Sequence, residues 1–114
     1  MGLSRVYIYG LKDVDGGAKA IADAEARGHA PGWRDRAQLG DGYLRRADSA
    51  RLKSAALPDA ERLDALKGAR EDYLRCVAAF EPILEKARSR RNRDYCRQRG
   101  DAIAPLVLSE AEGR

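Results

Sequence analysis

One histidine, one tryptophan, one phenylalanine and two cysteines stand in 114 residues, and each scarcity excludes something. With His29 alone, multi-histidine metal sites are ruled out. A single candidate general base remains, set in GHAPGW with no nucleophile patterned beside it. Cys76 and Cys96 are too few for a disulfide framework in a chain this long. On one continuous helix they would lie ~30 Å apart and could not bond to each other. The apolar run at residues 6–9 is too short for a signal peptide, and nothing approaches the length of a membrane span. A reducing cytoplasm is therefore the expected setting. Aromatics are 6% of the chain and many of its hydrophobic residues are alanine, so the core must be thin.

What is present is charge and helical periodicity. Charged residues reach 35%, a level typical of exposed helices. RVYIYG, residues 5–10, alternates β-branched and aromatic side chains and reads as a strand. AKAIADAEAR, residues 18–27, reads as an alanine-rich helix stopped by Gly28. Residues 28–42 hold four glycines and Pro31, which predicts an irregular stretch with Trp33 anchored against the core. A helix is expected over residues 43–57, ended by Pro58.

The strongest periodicity joins Leu63, Leu66, Tyr73, Val77, Phe80, Leu84 and Ala87. Asp59 is placed to cap this helix. Pro82 lacks an N–H and its ring clashes with the preceding turn, and with no glycine or polar loop beside it a kink is expected rather than a hairpin. APLVLSE, residues 104–110, reads as a short edge strand that could pair with residues 5–10.

Charge is concentrated in EKARSRRNRDYCRQRG, residues 85–100. Lys86, Arg88, Arg90, Arg91, Arg93, Arg97 and Arg99 face only Asp94 within residues 86–99, a local charge of +6, so the rest of the chain sums to −2. On a helix Lys86, Arg90, Arg93 and Arg97 fall within ~60° of one another. The apolar stripe stops at Ala87, and continuing it would put Arg91, Asp94 and Gln98 at core positions. The basic turns are thus expected to project past the core. Cations near a helix C-terminus complement the macrodipole, which accounts for Arg97 and Arg99 but fades within a turn. Cys76 reads as a core filler, and Cys96, among arginines, as the more reactive thiol.

Two short stretches look like fragments of known sites. RVYIYGLKD resembles, over about eight residues, the first half of the GIY-YIG nuclease signature. DGGAKAIADAEARG follows where that family needs a second Tyr-Ile-Gly-like segment, a catalytic Arg and a metal-binding Glu, so the segment reads as an aromatic strand. DVDGG opens like a calcium loop, but Ala24 stands where the twelfth-position Glu belongs, so it reads as a turn and helix cap.

The expectation is a mainly α, small helical bundle spanning residues 1–114 as a single domain. One long Pro-kinked helix runs over about 59–99, its basic end at 86–99 projects, and the termini have room for a minimal two-stranded sheet. In function it is a non-enzymatic, nucleic-acid-associated protein without metal or cofactor. Lys86, Arg88, Arg90, Arg91, Arg93, Arg97 and Arg99 would meet phosphates without reading bases. The alternative is a small microbial or phage adaptor or inhibitor that docks the same helix on an acidic protein surface. No membrane role is expected, because the basic segment has no bulky apolar face. Leu66, Tyr73 and Phe80 keep a heptad interval, which leaves self-association open.

Overall fold

The computed structural model describes residues 14–30 and 32–112, with side chains as far as Leu108. Four helices follow one another: α1 Val14–Ala26, α2 Trp33–Ser54, α3 Asp59–Phe80 and α4 Ala87–Glu112. A 3₁₀ turn, Glu81–Ile83, joins the last two. The mainly helical architecture agrees with the sequence reading, and among the described residues there is no strand. Residues 5–10 lie outside the described residues.

α1 carries Asp15 in its first turn, where an acid complements the helix dipole, and buries Val14, Gly17 and Ile21. It ends where the sequence placed its stop. Gly28 takes φ +84°, and its N–H donates to the Glu25 carbonyl at 3.0 Å while the His29 N–H donates to Ala24 at 2.9 Å. That bond pair is a Schellman closure, which favours glycine at the left-handed position.

α2 begins at Trp33, ten residues before the expected start. Gly40, which suggested a break, is a packing device. A Cβ there would lie 2.5 Å from the Phe80 ring, so only glycine lets α2 approach the end of α3 this closely. α2 lies antiparallel to α3: Gly40 meets Phe80, Arg46 meets Asp72, and Arg51 meets Tyr73. α3 begins at Asp59 itself, with Pro58 rather than Asp59 in the capping position.

α3 is central, packed on both α2 and α4. The apolar face read from its sequence holds: Leu63, Tyr73 and Phe80 are buried, and Leu66 and Val77 pack against them. Tyr73 and Phe80, which share the heptad interval, face the protein's own interior.

The long kinked helix is corrected. Helical bonding stops at Phe80, Pro82 occupies the 3₁₀ turn, and Ile83 drops into the core at 4% exposure. The chain then reverses, so that Cys76 faces Cys96 and Tyr73 faces Gly100. A straight continuation would have left α4 without a partner. The hairpin instead buries Ser89, Cys96, Gly100, Ile103 and Val107, one face at helical spacing. For the same reason residues 86–99 do not project: they run alongside α3. Gly100 does not end the helix, and residues 104–110 are helical rather than a strand, with Pro105 on the exposed side.

The hairpin also overturns the reading of the cysteines. Cys76 and Cys96 form a disulfide with their Cα atoms 6.3 Å apart, both side chains fully buried. The 30 Å separation presupposed one unbroken helix. Cys96 is therefore no exposed reactive thiol. A formed disulfide is also not what a reducing cytoplasm maintains, so the expected compartment loses its support. Among the described residues no helix is long and apolar enough to cross a membrane.

Candidate functional site

The reversal at Pro82 decides where each cation of residues 86–99 goes. Arg93 and Arg97, one turn apart on α4, both reach back to Glu81 in the 3₁₀ turn. Arg97 donates to Glu81 Oε1 at 2.9 Å, and Arg93 to the same carboxylate at 3.2 and 3.3 Å. Arg93 also donates to Asp94 at 2.7 Å, and its side chain is only 17% exposed. Hydrogen bonding to Asp94, with Glu81 adding to it, raises its already high pKa. Arg90 donates to the Leu84 carbonyl at 2.8 Å and remains exposed. The stripe expected from the sequence is thus brought together at Arg90, Arg93 and Arg97.

Lys86 leaves that stripe. It sits in the turn before α4, its ammonium 4.5 Å from the centre of the Trp33 ring. The Arg34 guanidinium lies 5.1 Å from the same ring, and Trp33 keeps 41% of its surface exposed. Arg88 pairs with Asp41 of α2 at 3.4 Å, and Asn92 donates to the other Asp41 oxygen at 3.1 Å. Burial pushes the Asp41 carboxyl above its ordinary range, opposed by the positive charge of Arg88 and then Arg45 and by the Asn92 bond. These groups surround a cleft of about 200 Å³ between the start of α2 and the start of α4. Ala37, Gln38, Phe80 and Ser89 complete its lining.

Arg99 is exposed on the opposite flank of the α4 seam from Arg90 and Arg97 and stacks over Tyr95 at 5.2 Å, while Arg91 is exposed on the outer face of the helix. Trp33 and Arg34 were missed as site residues because the glycine-rich stretch around them read as irregular. Trp33 was expected to be an anchor in the core; it is instead the first residue of α2, presented at the surface.

Two further polar clusters are internal. Asp48 accepts from the Tyr73 hydroxyl and from Tyr95 at 2.9 and 3.0 Å, while Arg51 donates to the Tyr73 oxygen at 3.0 Å. Burial first, and then the hydrogen bond to Asp48, push the Tyr73 phenol up to about 12, so it stays protonated and donating. Arg46 spans three helices, gripping Asp72 at 2.7 and 2.9 Å and Asp15 at 2.9 and 3.1 Å. Its hydrogen bonds hold the Asp15 carboxyl below the ordinary carboxylate range. Both clusters join helices. His29 lies exposed in the link between α1 and α2. Among the described residues, no group of three or more metal-binding side chains comes together.

Comparison with family models, curated proteins and solved structures finds no match.

Proposed function

We propose that this protein is a non-enzymatic module that binds nucleic acid through the phosphate backbone, using the cations of residues 86–99. The observation that carries the reading is an imbalance of charge. Seven cations lie in those residues, and three carboxylates, Asp41, Glu81 and Asp94, contact Arg88, Arg93 and Arg97. Because α4 is tied to α3 along its length, the remaining cations are displayed on a rigid surface and not on a loose arm. Ordering them on a ligand therefore costs little backbone entropy.

The reading differs from the sequence expectation in geometry. Arg90 and Arg97 line one flank of α4, Arg99 lines the other, and Arg91 lies on the outer face away from the buried seam. If Arg90, Arg91 and Arg99 each neutralise one phosphate of a duplex, log affinity falls against log salt with a slope of about −2.7, roughly 40-fold between 50 and 200 mM. Contacts of this kind set register without reading sequence.

A band-shift titration over a salt series tests the reading. Replacement of Arg90, Arg91, Arg97 and Arg99 by Glu, with helicity verified by circular dichroism, is expected to abolish the shift. Absence of any shift at low salt with wild-type protein would overturn the proposal. Capture of an acidic protein that persists after nuclease treatment would favour the adaptor reading in its place.

A further inference from the structure

The cleft at the start of α2 has a composition that the backbone-binding reading does not use. A surface that only neutralises phosphates needs neither an exposed indole nor a concavity. Here the chain's one tryptophan stands 41% exposed at the mouth of a cleft and is flanked by Lys86 and Arg34. Inside the same lining Gln38 holds its Oε1 buried, with no hydrogen-bond partner among the described residues. A buried acceptor without a donor costs stability, and turning the Gln38 amide into the cleft to meet a ligand N–H would relieve that cost.

We propose that this cleft receives an unpaired nucleobase carrying an exocyclic amine, stacked on Trp33 and donating to Gln38 once its amide turns into the cleft, so that the protein prefers single strands to duplexes. The inference rests on the phosphate-binding reading and deepens it by naming the nucleic-acid form. Aromatic platforms bordered by Lys and Arg are the usual means of holding single strands, because every base offers a π face. Lys86 and Arg34 now occupy the neighbourhood of the ring. Both have flexible stems, so an arriving base displaces one ammonium or guanidinium from the indole and leaves it beside the phosphate of the same nucleotide. Arg88 stands at the same rim for the next phosphate. In a duplex the base edge is paired and its face stacked, so a duplex can reach the cations and not the cleft.

Trp33 is its own reporter, since no other tryptophan contributes to fluorescence. With a short oligo-dC strand, the full-length protein is expected to show quenched indole emission and ~10-fold tighter binding than to a duplex of equal length. By anisotropy of labelled DNA, Trp33→Leu is expected to lose that preference while keeping duplex affinity, and Trp33→Phe to retain most of it. Equal binding of oligo-dC and duplex without quenching would overturn the cleft assignment and leave the phosphate reading standing. No binding of either at low salt would overturn both.

Discussion

Two clusters of this protein use the same materials to opposite ends. At the middle of the bundle, Asp48 collects the hydroxyls of Tyr73 and Tyr95 and the guanidinium of Arg51. At the hairpin turn, Glu81 collects Arg93 and Arg97. The first cluster is the more shielded: Tyr73 is fully buried, its ring meets that of Tyr95 edge to face at 6.4 Å, and Asp48 and Arg51 are half-buried. The second is wet, with the Glu81 side chain 41% and Arg97 51% exposed. Water weakens an ion pair at the turn until either partner can be traded for another, whereas the fully buried Tyr73 hydroxyl has nothing to trade with. Burial, rather than the identity of the charged groups, separates a joint from a docking point.

That contrast can be broken from the inside outward. The largest effect is expected from the clasp between α3 and α4, two of the three helices that meet at the interior cluster. Replacing Cys76 and Cys96 by alanine frees a loop whose closure is worth about 3 kcal/mol, read as a lower midpoint in urea. Asp48→Ala comes next: two tyrosine hydroxyls lose their acceptor in a half-buried site, at a cost of about 2 kcal/mol by the same titration. Glu81→Gln stands at the other extreme. It is expected to change stability by less than about 0.5 kcal/mol, as exposed pairs do. By freeing Arg93 and Arg97 it should tighten phosphate binding and steepen the salt slope by about 0.9 for each additional phosphate contacted. A Glu81→Gln variant that unfolds, or an Asp48→Ala variant that does not weaken, would erase the distinction between the two clusters.

Much of the fold was legible where bulky apolar residues mark the buried face. The stripe from Leu63 to Phe80 and the stop at Gly28 needed only spacing and backbone chemistry. Legibility failed where the contact is made by small residues. α4 turns Ser89, Cys96 and Gly100 toward α3, and none of the three registers as a core residue in a pattern of large hydrophobics. Without that face, Pro82 looked like a bend in one rod, and the cysteines on either side looked too distant to meet. Gly40 misled for a related reason: read locally it weakens a helix, and only the Phe80 ring across the interface explains it. The basic residues of the candidate site were visible as composition, but their division between Glu81 and the two flanks of α4 depends on the reversal. The Trp33 cleft needs two segments far apart in the chain, so spacing alone could not reveal it.

The position of the sulfur bridge sets a clock. Cys76 and Cys96 lie within the hairpin at zero exposure, so a small thiol in solution reaches them only when the two rods part. Once reductant is in excess, the speed at which the bond is cut becomes the speed at which the bundle breathes, and raising the reductant further should not hasten it.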